Sequence, residues 1–152
     1  MSDELIEILI RECLNEAQKA IDSGNPPFGC VITDKDGNIK ARAFNTQKTD
    51  SDPTAHAEIN AMRKLGKEIE SRYLDDYLMF ANASSCSMCM SGAVKAHITD
   101  FYFGATPEGS MNPWITMDEV AEKSTTKVSV NGPIIGEECS AQIAKGRELN
   151  SK

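Results

Sequence analysis

From Asp3 to Ile21 the apolar positions Leu5, Ile8, Leu9, Leu14, Ala17, Ala20 and Ile21 recur at helical spacing, and SGNPP stops the run. FGCVIT then reads as a buried strand, DKDGN carries the Asp-Gly turn signal of a hairpin, and IKARAF returns as a second strand. A polar loop, NTQKTDSD, leads into DPTAHAEINAMRKLG. There Asp52 is placed to cap a helix, Pro53 to fill its first position and Gly66 to end it. YLMFA, from Tyr77, predicts a third strand, followed by a helix from Ser85 to about Ala96 and a short fourth strand, DFYFG. Thr116 and Glu119 in TMDEVAEKS have capping-box spacing, KVSV reads as a fifth strand, and EECSAQIAKGRELN as a closing helix. Helices alternating with short apolar strands predict an α/β domain whose sheet is covered on both faces. At 152 residues, with no internal repeat and no linker, residues 1–152 read as one domain.

Composition narrows the function more than the fold. A hydrophobic fraction of 40% with 26% charged residues is ordinary for a globular chain. A net charge of −7 biases against nucleic-acid backbone, which needs a basic face, so a nucleic-acid partner is not expected. No apolar run approaches the roughly 20 residues that span a bilayer. The acidic opening MSDELIEILIREC is unlike a secretory signal, so no membrane partner and a cytoplasmic location are expected. Five cysteines (Cys13, Cys30, Cys86, Cys89, Cys139) make an odd count, which points to reduced thiols or metal ligands rather than a disulfide framework. Cys13 and Cys30 lie on apolar faces and read as small core residues, with Cys139 similar.

Two features carry candidate chemistry: His56-Ala57-Glu58 at one helix start and Cys86-x-x-Cys89 at another. Taken alone, the cysteine pair is equally a redox dithiol, half of a metal site or two small helix residues. Cysteines three apart in a first helical turn project to one side, and helix N-termini favour thiolates. One histidine nitrogen and two thiolates make a three-ligand zinc site with its fourth position open, the pattern of a catalytic zinc. Glu58 then has the task of taking a proton from water and passing it to a leaving group, which adds about 10²–10⁴-fold in rate. That combination attacks a carbon bearing an amino group and expels ammonia. His97, near a predicted helix C-terminus, reads as a dipole partner rather than a ligand.

DPTAHAEINAMRKLG followed by SSCSMCMSGAV resembles the zinc-dependent cytidine/deoxycytidylate deaminase superfamily, whose signature is H-x-E then P-C-x-x-C. PFGCVITDKDGNI, Asn45, YLDDYLMF and DFYFGAT fall in that family's order, so residues 1 to about 106 carry the resemblance. Within the superfamily the chain looks most like the branch of guanine deaminases, fungal-type cytosine deaminases and tRNA-adenosine deaminases. The resemblance implies a three-layer α/β/α fold with a mixed five-stranded sheet and one catalytic zinc held by His56, Cys86 and Cys89. It implies Glu58 as the proton shuttle, Asn45 hydrogen-bonding the base, Phe28 stacking on it, and backbone groups at Ala57 and Cys86 holding the base and attacking oxygen. It also implies a homodimer. The family has proline where this chain has Ser85, which implies altered contacts to the base there. Trp114, the single tryptophan, reads either as a partly buried anchor or as a lid stacking on the substrate ring, and Glu137 and Glu138 either as a second carboxylate for the pocket or, more simply, as acidic residues that favour the dipole of the helix they open.

The expected activity is deamination of a free amino-substituted base, either of 2-amino-4-oxo type (guanine, isocytosine) or cytosine. A tRNA-adenosine deaminase is the alternative. It should be basic around the closing helix, where Lys145, Arg147 and Lys152 face Glu137, Glu138 and Glu148 without surplus. A non-catalytic zinc-binding dimeric scaffold is the alternative from another class, and it has no use for Glu58.

Overall fold

A computed structural model describes residues 1–107 and 111–150. Within them lie helices α1 (Asp3–Asp22), α2 (Ala57–Glu68), α3 (Ser87–Lys95), α4 (Met117–Lys123) and α5 (Gly136–Leu149). The strands are β1 (Gly29–Thr33), β2 (Ile39–Phe44), β3 (Leu78–Ala83), β4 (Asp100–Ala105) and β5 (Ser129–Asn131). They form one sheet in the order β2-β1-β3-β4-β5. The β1–β2 hairpin and the β1–β3 pair are antiparallel, whereas β3–β4 and β4–β5 are parallel, so the sheet is mixed as expected.

Strand alternation sorts the core into two layers. Cys30, Ile32, Met79 and Phe101 face Ala57, Ala61 and Leu65 of α2 and Met90 and Ala93 of α3. Val31, Leu78, Phe80 and Ala105 face Leu9, Ile10 and Cys13 of α1 and Cys139 and Ile143 of α5. A sheet buried on both faces has strands without polar alternation, and β1 and β3 are buried at every position. Gly29 allows α1 to lie directly on β1, because a Cβ there would fall 2.3 Å from the Cys13 carbonyl oxygen. Cys13, Cys30 and Cys139 are fully buried, as the apolar patterning predicts. Ile8 departs from that pattern: it is 49% exposed, on the outer edge of the α1 stripe.

Other boundaries also move, each for a local reason. α2 begins at Ala57 rather than at Pro53, because Asp52 bonds the Thr54 backbone N–H and hydroxyl within a turn (both 2.8 Å) instead of capping the helix. Gly66 lies inside α2, which continues to Glu68. α3 begins at Ser87 with Cys86 as its N-cap, two residues later than Ser85. The fifth strand occupies Ser129–Asn131 rather than all of KVSV, where Asn131 donates to the Phe101 carbonyl at 3.1 Å. The Thr116–Glu119 capping box forms as read. In the segment after β4, residues 108–110 lie outside the described residues.

Candidate metal centre and the cavity above it

His56 and Cys86 are both N-cap residues with extended backbones, at φ −68°, ψ 155° and φ −68°, ψ 167°. An N-cap side chain leaves the helical spiral and turns back across the first turn, so it can meet a side chain that regular helical spacing would send elsewhere. Cys89 is the third residue of α3, and N-cap and third position are the pair that face one another in a capping box. The His56 Nδ1 atom lies 3.5 Å from the Cys86 sulfur and 3.3 Å from the Cys89 sulfur. The three ligand atoms all fall within 4.8 Å of one another.

This donor set fits zinc. Zn–N near 2.0–2.1 Å and Zn–S near 2.3 Å at tetrahedral angles put nitrogen and sulfur about 3.6 Å apart, close to the observed spacings. The charges agree with the geometry. The Cys86 thiol is lowered to about 4, first by Cys89 and then by His56, which favours its thiolate form. Cys89, which donates to it and is deeply buried, is raised instead. Metal binding to such a pair releases thiol protons, because the ligating form of cysteine is the thiolate. All five cysteines are free, so the C-x-x-C pair is not joined as a disulfide.

Glu58, in the first turn of α2, is 7% exposed, and burial raises its carboxyl above the ordinary range, against the pull of His56 and the Ser85 hydroxyl. It shares with His56 and Cys86 the lining of a cavity of about 330 Å³. The walls come from distant segments: Phe28, Asn45 and Gln47 on one side, Asn82 and Ser84 at the end of β3, Pro107, Met111 and Asn112 after β4, and Arg147 of α5. The loop before α2 is fixed by Asn60, whose side-chain amide donates to the Phe44 carbonyl and to the Thr46 hydroxyl, both at 2.9 Å. Asn45 is buried, accepts from the Gln47 N–H at 2.9 Å and donates to the Gln47 side chain at 2.8 Å. Asn82 accepts from Gly29 N–H at 2.9 Å and donates to the Pro27 carbonyl at 3.0 Å. The buried Ser84 hydroxyl has no partner among the described residues.

Of the residues singled out from sequence, the structure thus brings His56, Glu58, Cys86, Cys89, Asn45 and Phe28 together. Ala57 is fully buried at the start of α2, and Ser85, 2% exposed, touches Glu58 without lining the cavity wall. Trp114 does not line the cavity and is 55% exposed, so it is neither a partly buried anchor nor a cover over this opening in the described chain. Glu138 is engaged at the surface by Arg11, 2.5 Å away, and neither it nor Glu137 lines the cavity; both sit in the first turn of α5, in keeping with the dipole reading. His97 follows the C-terminus of α3, as expected, and there stacks on Tyr73 with ring centroids 4.1 Å apart and sits 3.0 Å from Asp75. Asn82, Ser84, Asn60 and Arg147 escape sequence reading. Asn82 alone left a sign, as an amide inside the otherwise apolar third strand.

The description "Cytidine and deoxycytidylate deaminase zinc-binding region" matches residues 3–105. The chain is 33% identical over 129 residues to the chloroplastic tRNA(adenine(34)) deaminase of Arabidopsis thaliana, a match over 84% of this chain that spans only 10% of that relative's length. It is 30% identical over 143 residues to the tRNA-specific adenosine deaminase of Haemophilus influenzae, covering 93% of this chain and 82% of the relative. With the guanine deaminase of Bacillus subtilis it shares 34% identity over 100 residues, 65% of this chain and 64% of that one. The solved structure of the guanine deaminase from Nitrosomonas europaea superposes with a TM-score of 0.81 at 15% identity, over 96% of this chain and 85% of the other. With its His56, Cys86 and Cys89 cluster and its mixed sheet between helical layers, the chain belongs to the cytidine and deoxycytidylate deaminase zinc-binding family.

Proposed function

We propose that the protein hydrolyses the exocyclic amino group from a small amino-substituted heterocycle and releases ammonia. The substrates that fit are free bases of the 2-amino-4-oxo type, such as guanine or isocytosine, or cytosine. The observation that carries this reading is the cavity: about 330 Å³, at the small end of ligand pockets, with Glu58 beside the ligand cluster in its lining. When bound to His56, Cys86 and Cys89, zinc supplies the Lewis acidity that makes water a usable nucleophile near neutral pH. Glu58 takes the proton from the attacking water and delivers it to the departing nitrogen. A C–O bond forms, the C–N bond breaks, and a ring carbonyl and ammonia result. Burial raises the Glu58 carboxyl towards the pH range in which one group can both accept and donate a proton. In this reading Phe28 stacks on the ring, Asn45 contributes its remaining amide hydrogen to the base, and the Ala57 and Cys86 backbones hold the base and the oxygen. Ser85 steadies Glu58.

Deamination of adenosine in tRNA is the second reading, favoured by four tRNA-deaminase relatives. Against it stand the net charge of −7 and a cavity wall in which Arg147 is the one Lys or Arg among the described residues. The homodimer belongs to the proposal as well. Light scattering, which reads the mass in solution, tests it. The test of substrate is ammonia release from guanine, isocytosine, cytosine, adenine, their nucleosides and deacylated tRNA. Turnover of a free base, at a rate at least tenfold above any tRNA turnover, supports the first reading. Ammonia from tRNA alone overturns it.

A further inference from the structure

The two peptide groups that carry Phe28 are bonded at all four of their polar ends. The Phe28 N–H donates to the Pro26 carbonyl at 2.8 Å, and the Phe28 carbonyl accepts from the Asn45 N–H at 3.0 Å. The other two ends, the Pro27 carbonyl and the Gly29 N–H, go to one side chain. Asn82 donates to the first through Nδ2 at 3.0 Å and accepts from the second through Oδ1 at 2.9 Å.

That amide is fully buried, in a strand otherwise built of Leu, Met, Phe and Ala and buried at every position. An unbonded amide there would be costly, so each of its ends needs a partner. The β1–β3 ladder runs from Thr33↔Leu78 to Cys30↔Ala81 and stops. One step further the Asn82 side chain takes the Gly29 N–H and reaches on to the Pro27 carbonyl. Gly29 has no room to yield on its other side, where a Cβ would fall 2.3 Å from the Cys13 carbonyl oxygen of α1. Residues 27–29 are therefore held between α1 and β3, and the bond from Asn45 to the Phe28 carbonyl ties the second ligand-facing segment to the first. Phe28, Asn45 and Asn82 all line the cavity that holds Glu58. Each end of the Asn82 amide is already bonded to backbone, so its effect on a ligand passes through its neighbours.

We propose that Asn82 is a positioning residue of the site: by clamping the peptide groups on both sides of Phe28, it sets the Phe28 ring and, through the Phe28 carbonyl, Asn45 at the places where they meet a planar base. This rests on the deaminase reading of the same cavity and adds to it the residue that fixes its base-contacting wall.

The test uses the zinc-loaded chain with guanine, isocytosine and cytosine. Ammonia release gives kcat and KM, and calorimetry in a Glu58→Ala background gives Kd without turnover. For the base bound best, Asn82→Ala is expected to raise KM and Kd about tenfold or more. Its kcat should stay within about threefold, with zinc content and circular dichroism unchanged. In a double-mutant cycle Asn82→Ala should add little to Phe28→Ala, because the first acts through the second. Asn82→Asp keeps the side-chain volume and the acceptor for the Gly29 N–H. Its carboxylate repels the Pro27 carbonyl, whereas its protonated form donates to it, so its Kd relative to the unsubstituted chain should fall as pH is lowered from about 8 to about 5. A Kd for Asn82→Ala within about threefold of the unsubstituted chain, or its full loss repeated in the Phe28→Ala background, overturns the proposal and leaves Asn82 a support of the fold alone. Where Asn82→Ala does not fold, Asn82→Asp decides, and a Kd equal to that of the unsubstituted chain at every pH overturns the proposal. Ammonia from the unsubstituted chain beside any of these results keeps the deaminase reading. Asn82-dependent binding of a base with no ammonia released would remove that reading and leave this inference standing. An unsubstituted chain that binds none of the three bases contradicts both.

Discussion

At the scale of single residues, the site depends on where three side chains leave the backbone. Because His56 and Cys86 occupy N-cap positions, their ligand atoms meet although the residues are thirty apart. Cys89→Ala removes one of three ligands. The expected outcome is loss of bound zinc, from about one per chain to under a tenth of that by atomic absorption, with the sheet intact by circular dichroism. Glu58→Gln should keep the zinc and lower kcat by about 10²–10⁴-fold. The same substitution has a stability signature. Burial raises the Glu58 carboxyl, so the folded state holds its proton more tightly than the unfolded chain does. Stability from that proton is fully present below the ordinary value of 4.5 and is lost as pH rises through the raised folded value. In metal-free protein, Glu58→Gln should therefore raise Tm at pH 8 and leave it almost unchanged at pH 4. An equal shift at both pH values would show that the carboxyl is not strained by burial.

At the scale of elements, the order of helices and strands was legible in the sequence because apolar periodicity and turn residues report local structure directly. Helix starts were less so. Asp52-Pro53 looks like a helix entrance, but Asp52 spends its side chain on Thr54 in a turn, and the helix starts only after His56, whose own extended backbone brings the imidazole to the sulfurs. The metal ligands and Glu58 were readable because they fall in two short-range pairs, His56-x-Glu58 and Cys86-x-x-Cys89. The cavity wall was not: Asn82, Ser84 and Arg147 come from three distant segments, and only the packing of α5 on Pro27 brings the last of them to the opening. Two element contacts give predictions of their own. A Cβ at Gly104 would lie 2.3 Å from the Cys139 sulfur and 2.5 Å from the Asn82 carbonyl oxygen, so Gly104→Ala should cost about 1–3 kcal/mol in urea unfolding by pushing α5 off β4. Arg42 ties β2 to α1 through Glu12 at 2.8 Å, and its hydrogen bond is the main cause that holds the Glu12 carboxyl below its ordinary 4.5. That pairing stabilises above the unfolded value and is lost as pH falls through the depressed one. Arg42→Met should cost up to ~1 kcal/mol at pH 7 and close to nothing at pH 2.

At the scale of the whole molecule, the fold places two helix N-termini side by side, roofed by loops from both halves of the chain. No described helix is long and apolar enough to cross a membrane. The ligands join α2 to α3, so metal binding links the two elements and should raise Tm in proportion to zinc added, by the usual mass-action term for a ligand that binds only the folded state. The central claim is that these residues form one catalytic centre rather than a structural clasp. Its most direct test is ammonia release from the best substrate, measured while zinc is titrated into stripped protein, with Glu58→Gln carried through the same titration. The account predicts activity rising linearly to a plateau at one zinc per chain, and a Glu58→Gln protein that binds the same zinc and stays at least 100-fold slower, within the range for positioned acid–base help. Full activity in Glu58→Gln, or zinc bound at one per chain with no ammonia from any substrate tried, would contradict it and leave a zinc-stabilised scaffold.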